Sequence, residues 1–132
     1  MWQSAFGPDI TVINDDKPAL RRMDGIWYAY GTPWCGKDGI NINTRAPLAG
    51  ICFLKQAQEN KIYRLSPQEA LKKILTQTIY KFEDVRRLDN LLRSLNLLLQ
   101  EIPVFELENV PEPSAAELSY HTMSAAAIEV NL

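Results

Sequence analysis

In the first half of the chain, apolar residues come in short runs separated by polar turn residues, as in β-strands. Asp24-Gly25 separates two of these runs and suits a tight turn, so residues 19 to 30 predict an antiparallel hairpin. Residues 31 to 46 are rich in Gly, Asn and Pro and predict a loop. The remaining predicted strands are a buried β-branched strand at 10 to 13, a strand at 48 to 56, and a short partner for it at 61 to 65.

Helical periodicity begins after Ser66. The hydroxyl of Ser66, a proline at the first helical position and Glu69 form a capping signal, which predicts a helix over residues 67 to 79. Apolar side chains, mostly leucine, then recur at spacings of three and four from Val85 to Ile102. This stripe predicts a second amphipathic helix whose leucines face the core rather than a zipper partner, since no sustained heptad repeat accompanies it.

The last third of the chain adds one strand and one helix. Apolar and polar residues alternate from Val104 to Glu108, which predicts the strand. Ser114 and Glu117 form a second capping signal and predict a helix that runs to Ala127. The order of elements predicts an α/β fold, with one domain over residues 1 to 132 in which helices pack on a mixed sheet.

Composition supports one folded domain and argues against two classes of partner. The 132 residues are 46% hydrophobic and 23% charged, which is ordinary for a globular protein. A net charge of −2 and scattered Lys and Arg argue against nucleic acid. No apolar run reaches the roughly 20 residues of a membrane span, and the N-terminus lacks a secretory signal, which predicts a cytoplasmic protein without membrane partners. The two cysteines are too few for a disulfide framework, and Cys52 in its apolar run predicts a core position.

A glycine-lysine motif at residues 31 to 38 matches the spacing Gly-x-x-x-x-Gly-Lys of a phosphate-binding loop. It does not fit that role, because Pro33 removes a backbone donor, Trp34 adds bulk where the backbone must approach a phosphate, and Asp38 stands in place of a hydroxyl. Trp-Cys-Gly in the same stretch resembles a thioredoxin-type site. The second cysteine is missing, which excludes dithiol exchange within the chain.

Asp15 and Asp16 are the stronger candidates for chemistry. Adjacent carboxylates at the end of a buried strand can divide the work of phosphoryl transfer, one binding Mg²⁺ and the other accepting a proton from the attacking hydroxyl. The alternative is a strand-to-turn junction, because Asn-Asp-Asp-Lys-Pro is also good turn chemistry. The single histidine, His121, has no second histidine with which to form a metal site and predicts a surface or core role.

Three segments share a pattern with a known family. They are Ile-Asn-Asp-Asp-Lys-Pro-Ala-Leu from residue 13, Tyr-Gly-Thr-Pro-Trp-Cys-Gly-Lys-Asp-Gly-Ile-Asn-Ile-Asn from residue 30, and Ala-Pro-Leu-Ala-Gly-Ile-Cys-Phe-Leu-Lys-Gln from residue 46. Together they resemble the HPr kinase/phosphorylase-like proteins of the phosphoenolpyruvate carboxykinase-like P-loop group. In such proteins a Gly-rich ATP-binding loop and its helix precede the Asp-Asp strand, and the opening Trp-Gln-Ser-Ala-Phe-Gly resembles the end of that helix.

The resemblance implies roles for particular residues. Asp15 corresponds to the catalytic base of phosphoryl transfer, and Asp16 to its Mg²⁺-binding neighbour. Residues 31 to 43 correspond to the loop that lines the acceptor site. The implied substrate-binding residues in this loop are Trp34, Cys35, Gly36, Lys37, Asn41 and Asn43. ATP and Mg²⁺ are the implied cofactors, and a serine or a peptide is the implied acceptor.

By the same resemblance, the chain corresponds to the C-terminal part of an incomplete P-loop kinase-like domain without its phosphate-binding loop. Phosphoryl transfer depends on positioning the β- and γ-phosphates, so these 132 residues alone are expected to be inactive. Unpaired sheet edges and helix faces would be covered by a second copy, by a separate N-terminal half or by a rearranged sheet.

Two alternatives remain open at this point. One is a non-catalytic module that uses residues 34 to 43 to bind a peptide or a protein. The other is a small enzyme that acts on a phosphorylated ligand through Asp15, Asp16 and Lys37.

Overall fold

A computed structural model describes residues 2–14, 18–33, 36, 39–40, 42–77, 85–110 and 112–130. The chain divides into two compact units, the N-terminal unit at Met1–Leu48 and the C-terminal unit at Ala49–Leu132. The elements are α1 (Trp2–Phe6), a 3₁₀ turn (Gly7–Asp9), β1 (Ala19–Met23), β2 (Ile26–Tyr30), β3 (Arg45–Pro47), β4 (Ile51–Gln56), β5 (Lys61–Arg64), α2 (Pro67–Gln77), α3 (Val85–Glu101), β6 (Val104–Asn109) and α4 (Pro113–Val130). The α/β class is therefore confirmed, with two three-stranded sheets in place of one. The prediction of a single domain stays a prediction.

The N-terminal unit contains the antiparallel sheet β1-β2-β3. The predicted hairpin is confirmed, and its turn has φ 52° at Asp24 and φ 81° at Gly25, the positive values that a two-residue hairpin turn requires. The predicted loop at 31 to 46 is wrong at its end. Arg45 opens β3 and pairs with Tyr30, because β2 still offers a free edge to the returning chain.

The predicted strand at 10 to 13 is wrong. These residues follow the 3₁₀ turn and form no ladder, and only Asn14 makes an isolated β-bridge. Ile10 has the extended φ of −105° that a β-branched residue favours. An extended backbone becomes a strand only when a neighbouring strand provides successive hydrogen bonds. Among the described residues, a single backbone bond joins residues 10 to 13 to the loop after β2, from the Ile42 amide to the Ile13 carbonyl at 2.8 Å.

The C-terminal unit contains a mixed sheet in the order β4-β6-β5. β6 runs parallel to β4 and antiparallel to β5. The predicted pairing of 61 to 65 with 48 to 56 is therefore wrong, and the first of those strands begins only at Ile51. β6 occupies the centre and is the most buried of the three strands, with Val104, Phe105 and Leu107 all buried.

The helices of the C-terminal unit follow their sequence signals closely. α2 begins at Pro67 as predicted, and its end at 79 lies outside the described residues. The Ser66 hydroxyl accepts a hydrogen bond from the Glu69 amide at 3.3 Å and donates one to the Glu69 carboxylate at 3.1 Å. α3 is also confirmed, and its Leu95 and Leu98 are buried, so the leucine stripe is a core face.

The predicted cap of α4 is wrong. The helix begins at Pro113, one residue before Ser114. The Ser114 hydroxyl instead accepts a hydrogen bond from the Asn60 amide at 2.9 Å, and the Asn60 carbonyl oxygen accepts one from the Val110 amide at 2.9 Å. At the start of the helix the Ala115 amide donates to the Glu112 backbone carbonyl at 3.1 Å. Of the helices the structure describes, none combines the length and the apolar character needed to cross a membrane.

Candidate functional site

Residues 13 and 14, which precede the aspartate pair, are bonded to both ends of the loop that follows β2. On one side, the Asn14 side-chain amide donates to the Thr32 carbonyl at 3.2 Å and to its hydroxyl at 3.3 Å. On the other side, the Ile42 amide donates to the Ile13 carbonyl at 2.8 Å. The loop over residues 33 to 41 is therefore closed at its base by the residues that lead to the acidic pair.

Gly31 permits this closure. A Cβ atom on Gly31 would overlap the Ile42 carbonyl oxygen and would lie 2.8 Å from the Ile42 carbonyl carbon and 3.2 Å from an Ile13 methyl carbon. The Gly31 amide donates to the Thr44 carbonyl at 2.9 Å. The glycine that opens the glycine-lysine motif therefore lies in the loop base, and its N–H is already used there.

Two of the eight residues implied by the resemblance, Gly36 and Asn43, are among the described residues. The Gly36 carbonyl accepts a hydrogen bond from the Gly39 amide at 3.1 Å, and Gly39 has φ 66°. Asn43 is exposed at the centre of a three-residue turn, which the Thr44 amide closes on the Ile42 carbonyl at 2.9 Å. The others lie outside the described residues: Asp15, Asp16, Trp34, Cys35, Lys37 and Asn41.

A second polar cluster lies on one face of the C-terminal sheet. Lys73 of α2 forms an ion pair with Glu106 of β6 at 2.7 Å, and its ammonium lies 5.8 Å from the centre of the Phe53 ring. The Tyr63 hydroxyl donates to the Glu108 carboxylate. The ammonium of Lys73 lowers the pKa of Glu106, while the hydrogen bond to Glu108 raises the pKa of Tyr63 to about 12.

This cluster favours structure over catalysis. A tyrosine with a raised pKa stays protonated near neutral pH, so Tyr63 can donate a hydrogen bond but cannot act as a base. The ion pair joins α2 to the central strand. The sequence analysis did not predict this cluster. Glu106 and Glu108 alternate with apolar residues, and this spacing indicates that both carboxylates lie on the same face of the strand.

The ion pair predicts a small acid-dependent loss of stability. Because the pKa of Glu106 is lowered in the folded state, its contribution is complete above about pH 5 and is lost as the pH falls through the folded pKa. Lys73 is 40% exposed, so Lys73→Met is expected to cost less than about 1 kcal/mol at pH 7 and to flatten the decline toward pH 3. Urea unfolding followed by circular dichroism, repeated between pH 3 and pH 7, measures the loss of stability at pH 7 and its decline toward acid.

Lys72→Met is the matched control, since it removes the same charge from an exposed neighbouring position of α2. A Lys72→Met protein with the same flattened acid profile would show that the net charge of the helix, rather than the ion pair, sets the effect.

The other residues considered for catalysis or metal binding give little support for either role. Cys52 is half-buried and free of a disulfide, and its burial raises the pKa of the thiol, so the core prediction is met only in part. His121 is exposed on α4 and contacts the Tyr120 ring edge-on. Across the described ranges, no group of three His, Cys, Asp or Glu side chains is placed to hold a metal ion.

One small cavity lies in the C-terminal unit, between the start of α2 and the end of α3. Its volume is about 140 Å³, and its lining side chains are apolar apart from Arg64; they include Leu65, Ala70, Leu99 and Val104. Sites for small molecules usually measure about 300–1,000 Å³ and contain convergent polar groups. This cavity is therefore a packing defect of the core rather than a candidate site.

Comparisons with protein-family models, with curated proteins and with solved structures found no match for this chain.

Proposed function

We propose that the N-terminal unit carries the acidic, acceptor-facing side of an ATP-dependent phosphotransferase site of the HPr kinase-like kind, acting on a serine or a peptide. The observation that carries the proposal is the double attachment of residues 13 and 14 to the loop base, through Thr32 and Ile42. Asp15 follows Asn14 directly in the chain, so the acidic pair starts from the backbone that closes the acceptor loop.

In this proposal the two carboxylates divide the work. Asp15 accepts the proton of the attacking hydroxyl, and Asp16 is a hard oxygen ligand of the kind that Mg²⁺ prefers. Bound Mg²⁺ would neutralise charge on the ATP phosphates during transfer. The loop residues from Trp34 to Asn43 line the acceptor side. An ATP-dependent reaction also agrees with the cytoplasmic location that the sequence predicts.

In this proposal, the triphosphate of ATP is bound by a segment other than residues 31 to 38. A phosphate cradle needs free consecutive backbone N–H groups, but the Gly31 amide is bonded to Thr44 and Pro33 has no N–H. We therefore expect residues 1 to 132 by themselves to transfer no phosphate. A separate N-terminal half or a second copy would complete the site.

Manganese offers a direct test, because it replaces Mg²⁺ and broadens nearby NMR signals. Titration with Mn²⁺ is expected to broaden the Trp34 indole signal, and Asp16→Asn is expected to reduce the apparent affinity about tenfold. Asp24→Asn, in the hairpin turn, is the control of equal charge and should behave like the unmodified protein. Equal broadening in Asp16→Asn would overturn the metal role.

ATP turnover tests the second half of the proposal. With Mg²⁺ and ATP, the isolated chain is expected to release no phosphate above background and to show no rise in melting temperature from ATP, since a ligand of the native state must stabilise it. Turnover at an ordinary enzymatic rate that Asp15→Asn abolishes would show instead that the chain is a complete small enzyme.

A further inference from the structure

One face of the N-terminal sheet carries aromatic and basic side chains toward solvent. Strand alternation and the pairing register put eight residues on this face, and we call them the Arg-Tyr face. They are Ala19, Arg21 and Met23 of β1, Ile26, Tyr28 and Tyr30 of β2, and Arg45 and Pro47 of β3. Arg21 lies directly opposite Tyr28, and Arg45 lies directly opposite Tyr30.

Part of the face, around Arg45, is held together by contacts among its own side chains. The Arg45 guanidinium carbon lies 4.4 Å from the centre of the Tyr28 ring, and Arg45 Nη1 donates to the Tyr30 hydroxyl at 3.3 Å. The Tyr30 hydroxyl in turn lies 3.1 Å from Met23 Sδ. The hydrogen bond with Tyr30 also raises the pKa of Arg45. Preorganised side chains lose less conformational entropy on binding, which favours affinity.

Arg21 and Arg45, the two cations of this face, are both exposed, and neither forms an ion pair with a carboxylate in the part of the chain that the structure describes. Asp24 exerts only a weaker Coulombic attraction on Arg45. Ile26 is 46% exposed beside the two arginines. Arginine and tyrosine grouped with exposed apolar surface are the residues that carry most binding energy at protein interfaces.

We propose that the Arg-Tyr face docks an acidic, extended peptide. The carboxylates of the peptide would pair with Arg21 and Arg45, while an apolar or proline residue between them packs on Tyr28 and Ile26. Because β1 and β3 flank β2 and the two arginines are offset by two residues along the strands, their backbones lie about 12 Å apart, which an extended chain spans with acidic residues four positions apart.

A peptide fits the charges better than a nucleic acid does. Single strands carry one phosphate every few ångströms, and tight binding requires a correspondingly long track of cations. The face offers two arginines, and the whole chain has a net charge of −2. Two fixed cations on an apolar platform match two carboxylates on a mostly apolar peptide. Phosphate transfer in the N-terminal unit is not required for this docking.

Fluorescence anisotropy with a fluorescein-labelled Glu-Leu-Pro-Leu-Glu peptide tests the proposal. We expect saturable binding that weakens with salt, about tenfold weaker binding for Arg45→Gln, and about fivefold for Arg21→Gln and for Tyr28→Leu. Arg22→Gln is the matched control, because Arg22 is an exposed residue of the same strand on the opposite face, and its affinity should change less than twofold.

Each variant is first checked for native tryptophan fluorescence. Arg21→Gln keeps the test valid if Arg45→Gln perturbs the sheet, since no described contact of the sheet depends on the Arg21 guanidinium. Absent saturable binding, or equal weakening in Arg22→Gln, would overturn the proposal. Tighter binding of an oligothymidylate that Arg45→Gln abolishes would also overturn it and assign the face to nucleic acid. The Mn²⁺ titration of Asp16→Asn tests the proposed phosphotransferase site independently of peptide binding, so the two proposals can fail separately.

Discussion

Leu107→Ala is expected to lower the free energy of unfolding of the C-terminal unit by about 3–4 kcal/mol, because truncating a fully buried leucine removes its transfer free energy and leaves a cavity. Leu107 has no exposed surface and lies in the middle of β6, the strand that joins both edges of the sheet. The neighbouring strands on either side leave the cavity little room to collapse. This is a large fraction of the stability of a small domain.

Urea unfolding followed by far-ultraviolet circular dichroism measures the loss, since the three long helices all belong to the C-terminal unit. Leu54→Ala is the matched control. Leu54 lies directly opposite Leu107 in the register, on the same face of the sheet, and is 66% exposed. Its truncation should cost less than about 1 kcal/mol. Similar losses for the two variants would contradict the assignment of β6 as the buried centre.

Gly31→Ala is expected to disrupt the loop base of the N-terminal unit and to cost more than about 3 kcal/mol. The added methyl group would occupy the position of the Ile42 carbonyl oxygen, which is backbone and cannot rotate away like a side chain. Relief requires that the two ends of the loop separate. That movement would break the bonds that join Ile13 and Asn14 to the loop, so the metal binding that we propose at Asp16 should weaken as well.

Tryptophan fluorescence measures this prediction selectively, because Trp2, Trp27 and Trp34 all lie in the N-terminal unit. Gly39→Ala is the control that distinguishes a steric clash of the added methyl group from the loss of glycine's conformational freedom. Gly39 has φ 66° but open space around its Cα, so alanine there should cost only about 1 kcal/mol. A Gly31→Ala protein that unfolds like Gly39→Ala would show that the loop ends do not approach so closely.

Local signals in the sequence predicted the local structure well. The Asp24-Gly25 turn and the Ser66 cap were both predicted from neighbouring residues, because the turn needs positive φ and the cap needs one hydroxyl three residues before an amide. The same reasoning was wrong for α4. Ser114 is the second residue of that helix rather than the residue before it, and its hydroxyl accepts a hydrogen bond from Asn60 and donates one to Glu112.

Strand pairing was the part that sequence reasoning missed. Lys61 to Arg64 follows β4 closely in the chain, which favoured a hairpin, yet both strands pair with β6. The central strand β6 is the most buried of the three although β4 contains more apolar residues, so apolar content alone does not identify it. β3 was also not predicted, because it lies in a stretch whose composition is typical of a loop. Since Arg45 belongs to β3, the Arg-Tyr face could not be predicted either.

The sequence by itself determined the type of each long element, the hairpin turn and the choice of Asp15 and Asp16 as candidates, since each depends on residues a few positions apart. Only the tertiary structure decided which strands are neighbours, that Ile13 and Asn14 are bonded to both ends of the loop after β2, and that arginine and tyrosine side chains share one exposed face. These contacts join residues far apart in the chain. They arise from competition among all strands and loops for the same hydrogen-bond partners and the same buried surface, which no local pattern encodes.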